Sequence, residues 1–249
     1  MEGFRVLLVV DAEKFSSHRD AELRDVHMEI RRVLAAACAS SGLGETWRAI
    51  RFVESTGDGL LAALPYEAAP KLIDPFPRCL QEALAASAPR LRGRGLRLRL
   101  RVALHLGLVD DEHPDAPGIS AAVIDVNRLL NSQPLRDALR ESDPAVTFAA
   151  FILSADLFAA YVKGGRTGLR ESQFTEVQVA VKEYKRLAYL HVPTPSRVET
   201  PSPPADDDLV PQPSSTPQGV SISGITISGT GSQNAFGNTI GRDLRQERA

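Results

Sequence analysis

The sequence predicts an α/β fold of the α+β kind, a sheet with helices packed on it, followed by a proline-rich linker and an unpacked tail. Three observations predict it. Short runs of Val, Leu, Ile and Phe have strand length, and longer stretches between them repeat apolar residues every three or four positions. Clusters of Gly, Pro, Asp and Ser punctuate the runs. At Pro193 the composition changes sharply, and residues 193–217 contain eight prolines. With 249 residues the chain can build one sizeable core and still carry a tail.

Residues 4–10 read as a central strand, and 18–41 as a long helix with Leu23, Val26, Ile30, Val33 and Leu34 on one stripe. Ser41-Gly42-Leu43-Gly44 ends that helix. Strands are expected at 47–54 and 59–64, joined by a hairpin turn over Ser55-Thr56-Gly57-Asp58. A helix follows over 73–88. Residues 96–109 form a strongly alternating strand. Leu96, Leu98, Leu100, Val102 and Leu104 share one face, with Arg97, Arg99 and Arg101 between them. After a loop at 110–118, residues 119–141 look helical and 146–152 read as a strand. Ser154 begins a short helix, and 173–192 give two last strands.

Composition limits the function classes. The formal charge of −2 gives no bulk attraction to nucleic acid or to an anionic membrane. Arg90, Arg92, Arg94, Arg97, Arg99 and Arg101 lack interleaved aromatics, and strand alternation accounts for half of them, so no nucleic-acid partner is expected. No apolar run approaches the ~20 residues of a membrane span. Met1 to Val10 has no long apolar signal region and ends in an acidic turn. Cys38 and Cys79 sit in helical Ala- and Leu-rich surroundings and read as buried small apolar residues of a reducing, cytoplasmic compartment.

Two acidic motifs carry the chemistry. Asp11 sits where the first strand ends, in Val9-Val10-Asp11-Ala12-Glu13-Lys14-Phe15-Ser16. Asp58 sits in Thr56-Gly57-Asp58-Gly59, before another apolar run. Two carboxylates at adjacent strand ends suit the hard, oxygen-seeking Mg²⁺ of a nucleoside triphosphate. His105, in an apolar strand, reads as a structural histidine.

These segments resemble the catalytic domain of class III nucleotidyl cyclases, the adenylate and guanylate cyclase family. Asp11, Phe15 and Ser16 match its Asp-x-x-Gly-Phe-Ser/Thr motif, with Lys14 in place of the Gly; Gly57-Asp58-Gly59 match its hairpin. Arg99-Leu100-Arg101-Val102-Ala103-Leu104-His105-Leu106-Gly107-Leu108-Val109 resembles its Arg-x-Gly-x-His-x-Gly strand. The resemblance covers residues 1–192 and implies a ferredoxin-like, cyclase-type sheet.

It also implies that Asp11 and Asp58 bind two ions, Mg²⁺ or Mn²⁺. These activate the ribose 3′-hydroxyl and steady the triphosphate of a ribonucleoside triphosphate, which becomes a 3′,5′-cyclic nucleotide and pyrophosphate. Glu54 stands where the family reads the base, and a carboxylate there accepts from guanine, so GTP is favoured. The second base-reading position falls near Pro117, which is neither of the family's usual residues. Lys182, with Lys185 as a lesser candidate, stands where a Lys contacts the triphosphate.

In the family's Val-Asn-x-Ala-x-Arg helix, one register places Arg128 at the transition-state Arg and Ile124 at the ribose-orienting Asn. The other places Asn127 at the Asn and Asn131 at the Arg. Each register lacks one group, and the Arg128 register is preferred because Arg128-Leu129-Leu130 continues the family pattern. A homodimer is implied, with the aspartates and base reader from one protomer and the Asn and Arg from the other. The alternative is an impaired pseudo-cyclase that binds nucleotide or only dimerises.

Three regions are therefore expected: a cyclase-like domain over 1–192, a linker over 193–217 and a low-complexity tail over 218–249. Val220, Ile222, Ile225, Ile227, Phe236 and Ile240 alternate with small polar residues. The tail resembles the short amyloid-signalling motifs of bacterial immune and cell-death proteins. Such segments stack as in-register strands, which implies a protein partner and a role in bacterial signalling or defence.

Overall fold

The computed structural model describes residues 2–50, 52–113, 115 and 117–198. The expectations for the tail, and for most of the linker, lie outside these residues. The first strand, β1 (Gly3–Ala12), runs into a single helical turn at Phe15–Ser17 and then into α1 (Asp20–Ser40). Next come α2 (Gly44–Arg48), β2 (Val53–Ser55), β3 (Gly59–Pro65), α3 (Ala69–Ile73) and α4 (Phe76–Arg92). The second half holds β4 (Leu100–Val109), α5 (Ala121–Leu130), α6 (Gln133–Arg140), β5 (Ala149–Ser154) and α7 (Ala155–Leu157). A π-helical stretch (Phe158–Lys163) and the hairpin β6 (Thr175–Val181) and β7 (Tyr184–His191) complete it.

The strands form one mixed sheet in the order β2-β3-β1-β4-β5-β7-β6. Only β4 and β5 pair in parallel; the other neighbours are antiparallel. The period of two along β1 sends Val6, Leu8 and Val10 to one core, with α1 and α4, and Leu7 and Val9 to another, with α5 and α6. Each fully buried Leu or Val contributes about 1.5–3 kcal/mol by leaving water. Leu96, Leu98, Leu100, Val102 and Leu104 all join the first core, as their alternation predicts. Cys38 and Cys79 are free and buried there, and burial pushes the Cys38 thiol up to about 12.

Four elements differ from expectation, each for an identifiable reason. The strand expected from 47 begins only at Val53. Residues 44–48 are helical, with Trp47 N–H bonded to Leu43 O at 2.8 Å and Trp47 and Ile50 packed on the core. The helix expected over 73–88 is two helices. Asp74 precedes Pro75 and is held extended, at φ −155° and ψ 121°, as a residue before proline prefers. The helix expected over 119–141 breaks after Asn131, because Pro134 belongs in the first turn of a new helix. β4 starts at Leu100 rather than 96, since its ladder partner β1 ends at Ala12, opposite Leu100.

Two buried polar side chains tie the second half to the first. Gln81 of α4 accepts from the N–H groups of Phe148 and Ala149, at 2.9 and 3.1 Å, and donates to Val146 O at 2.7 Å. Arg99 donates to Thr147 O and Leu139 O, and pairs with Glu13 at 2.9 Å. Residues 194–198, just beyond β7, stay on this surface. Thr147 Oγ1 donates to Thr194 O at 2.5 Å, and Val198 N–H bonds Glu141 O at 3.3 Å.

Candidate functional site

Asp11 and Asp58 come together at one corner of the sheet. In the β1–β3 register Asp11 stands opposite Gly59, and Ala12 N–H donates to Asp58 O at 2.9 Å. Gly59 makes this approach possible: a Cβ there would lie 1.9 Å from Val10 O and 2.9 Å from the Cα of Asp11. Gly57 supplies the positive φ of 86° that turns the hairpin. His27 of α1 braces the turn, its Nδ1 3.1 Å from Gly57 O and its Nε2 3.3 Å from Ser55 Oγ.

The two carboxylates are unequal. Asp58 is half-buried, with Thr56 Oγ1 at 3.5 Å. Asp11 is 6% exposed, and both its oxygens are taken by Arg101, at 2.8 and 2.7 Å. Burial raises the Asp11 carboxyl to about 6 and the Asp58 charge adds to the rise, while Arg101 and Arg136 oppose it. Sequence reasoning named the Arg101 strand but missed this pair. The signal was present in the alternation, which puts Arg101 on the Asp11 face once β1 and β4 are neighbours.

Among the described residues no group of three or more His, Cys, Asp or Glu side chains converges as a metal cage. The donor set is two carboxylates in a corner open at Asp58. Hard oxygen donors of this kind fit a divalent ion such as Mg²⁺ or Mn²⁺, provided Arg101 releases Asp11.

Glu54 is exposed on the edge strand β2, opposite Leu61. The loop carrying Pro117 folds against the start of that strand; a Cβ on Gly118 would meet the Phe52 ring at 2.3 Å. The remaining candidates gather elsewhere. Ile124, Asn127, Arg128, Asn131 and Lys182 line one open groove between α5 and the β6–β7 turn. Arg128 is held by Asp125 at 3.1 Å and lies 5.6 Å from the centre of the Tyr184 ring. Lys182 takes a positive φ of 53° in the turn. Ile124 is 55% exposed. Asn127 spends its amide on Val123 O at 2.8 Å. Asp11 and Asp58 do not line this groove. Within one chain, the two aspartates and the groove's Arg128 and Lys182 thus line no common cavity.

Two further features of the third motif are structural. Gly107 lets α5 sit against β4, since a Cβ there would lie 2.4 Å from Ala122 Cβ. His105 Nδ1 is buried without a hydrogen-bond partner, and burial keeps its pKa below the usual value. Of the arginine run, Arg90, Arg94, Arg99 and Arg101 are engaged with Glu29, Asp25, Glu13 and Asp11.

Comparison with solved structures decides the architecture. The guanylyl cyclase Cya2 superposes with a TM-score of 0.54 at 16% identity, over 80% of this chain and 95% of that one. The fold is that of adenylyl and guanylyl cyclase domains. The adenylyl cyclase CyaB from P. aeruginosa gives a TM-score of 0.52 at 12% identity, over 77% of this chain and 96% of that one. The guanylate cyclase domain of RhGC from Catenaria anguillulae, solved in complex with GTP, gives 0.50 at 12% identity, over 80% of this chain and all of that one. No protein-family model matches the sequence, and no curated protein matches it. The cyclase-type sheet expected from the three motifs is therefore present. No helix of the described residues is long and apolar enough to cross a membrane.

Proposed function

We propose that this chain is a nucleotidyl cyclase of the class III type. It acts as a cytoplasmic homodimer and converts a ribonucleoside triphosphate, GTP by preference, to a 3′,5′-cyclic nucleotide and pyrophosphate. The observation that carries the reading is the meeting of Asp11 and Asp58 at one corner of a cyclase-type sheet. Two divalent ions would supply the fixed positive charge that developing phosphate oxygens need. The chain's residues then divide the work. Asp11 and Asp58 would hold the ions, and Arg101, on releasing Asp11, would be a free cation at the same corner. Glu54 accepts from the guanine edge, in keeping with the neighbour solved with GTP. Arg128 and Lys182, from the partner protomer's groove, bring positive charge to the transferring phosphate. That the aspartates share no cavity with Arg128 and Lys182 within one chain supports a site shared between two copies. Exposed Ile119 and Ile124 at the head of α5 offer apolar surface to it.

The test is incubation of the purified chain with each ribonucleoside triphosphate and Mn²⁺ or Mg²⁺, with mass detection of cyclic products. Cyclic GMP from the native chain, and none from a folded Asp58→Asn variant, is expected. A second reading, a pseudo-cyclase that binds nucleotide and recruits a protein partner through its tail, is favoured by two observations. Ile124 cannot orient a ribose by hydrogen bonding, and Arg101 holds both oxygens of Asp11. Nucleotide binding with no cyclic product from any triphosphate would establish it.

A further inference from the structure

Two adjoining cavities are lined by neither aspartate of the corner nor any residue of the groove. The larger holds about 1300 Å³ of space, part of it open to solvent, between the Glu13–Glu22 segment, the turn before β4 and the Arg140–Pro144 turn. Its walls carry Lys14, Arg19, Arg97, Arg99 and Arg140 against two carboxylates, Glu13 and Glu22. Glu13 is committed to Arg99, Glu22 to Arg19 at 3.0 Å, and Arg140 to Asp137 at 2.7 Å and Glu141 at 3.3 Å. Lys14 and Arg97 have no side-chain hydrogen bond or ion pair among the described residues. Ordinarily such cations point apart into water. Here they face one concavity whose back wall, Arg99, is 7% exposed and pinned to main-chain carbonyls. Val198 forms part of the rim.

The smaller cavity shares the wall of Arg97, Arg99 and Pro144 with the larger one and is mostly apolar. Leu91, Leu96, Leu98, Ala145 and Phe148 line it. A cationic chamber beside an apolar one, with three wall residues in common, matches a ligand with a charged end and a compact apolar end. Guanidinium and ammonium groups on several walls select phosphate geometry.

We propose that the two cavities form one site for a phosphate monoester. Its phosphate sits between Lys14 and Arg97, and its apolar group enters the pocket of Leu91, Leu98 and Phe148. Asp11, Asp58, Glu54, Arg128 and Lys182 line neither cavity. The larger cavity borders the Asp11 motif through Glu13 and Lys14, but its binding needs none of the candidate metal, base-reading or transition-state residues. A free metabolite and an anionic phospholipid headgroup share this chemistry.

The experiment is calorimetric titration of the full chain in EDTA with phenyl phosphate and with inorganic phosphate, and sedimentation with phosphatidic acid vesicles. Phenyl phosphate is expected to bind at least tenfold more tightly than inorganic phosphate. A Lys14→Ala/Arg97→Ala variant, altered only at exposed side chains, should lose at least tenfold in affinity for both. Ala145→Trp should plug the apolar pocket and erase the phenyl advantage while leaving phosphate binding. Asp58→Asn should change none of this, so failure of the cyclase reading leaves the result intact. Arg97-dependent capture of vesicles would identify a lipid source, and phenyl phosphate binding without it a free metabolite. Absence of binding to all three probes, or binding undiminished in the double variant, overturns the site.

Discussion

Replacing Arg101 with methionine removes the charge partner of a carboxylate that is 6% exposed. Two charge-assisted bonds, at 2.8 and 2.7 Å, disappear, and Asp11 stays in place with nothing to neutralise it. Breaking a buried pair in this way costs ~3–5 kcal/mol, and the partial exposure of Arg101 sets the expectation at about 3 kcal/mol at pH 8. The cost must depend on pH. Burial already raises the Asp11 carboxyl to about 6, and Arg101 is the largest influence holding it down. Without Arg101 the folded-state value rises further above the unfolded one. An ionised Asp11 then destabilises the fold at high pH, and protonation relieves it as the pH falls. Each further unit of rise is worth about 1.4 kcal/mol, so the deficit should shrink by that much or more between pH 8 and pH 5. Urea unfolding followed by circular dichroism at both pH values measures it, with an unchanged slope confirming the same transition. Asp11→Asn combined with Arg101→Met should recover most of the loss, because no buried charge is left unpaired. A deficit below about 0.5 kcal/mol, equal at both pH values, would refute the assignment of Arg101 as the group that holds Asp11.

Gly59→Ala should cost ~3 kcal/mol, because its Cβ meets Val10 O at 1.9 Å, while Gly57→Ala, facing open space at positive φ, should cost only about 1 kcal/mol; urea unfolding of the two variants checks the order. Burial holds His191 below its usual pKa, so the unfolded chain takes up a proton that the folded one resists, and the His191 contribution to stability is lost as pH falls through 6.5. His191→Gln should therefore flatten the drop in melting temperature between pH 7 and pH 5; an unchanged slope against the native chain would count against it. Residues 215–245, expressed alone, should form fibres that bind an amyloid dye and show cross-β spacing, since the segment is rich in β-branched residues and free of proline over 218–241. A peptide that stays monomeric at high concentration would remove the templating reading.

Period and punctuation determined much of this protein by themselves. The two-residue alternation from Leu96 to Leu104 assigned one face to the first core before any partner strand was known. Alternation reports which face is apolar whatever lies beside it. The helix stripe of Val26, Ile30, Val33 and Leu34 was legible in the same way. Glycine chemistry marked the Gly57-Asp58-Gly59 turn, because positive φ and close approach are local demands. The strand start at Leu100 was not legible, since a strand begins where its neighbour offers a ladder, and the start at Val53 was hidden because residues 44–48 fold as a helix packed on the core. The gathering of distant groups belonged to the tertiary structure alone. Arg101 is 90 positions from Asp11, and no local pattern reports that one carboxylate is sequestered while its twin Asp58 is half open to water. The cationic chamber of Lys14, Arg97 and Arg140 likewise draws its walls from three separated segments. Charge, unlike apolar periodicity, takes its meaning from what the fold places opposite it, and that is decided by sheet order and helix packing rather than by neighbours along the chain.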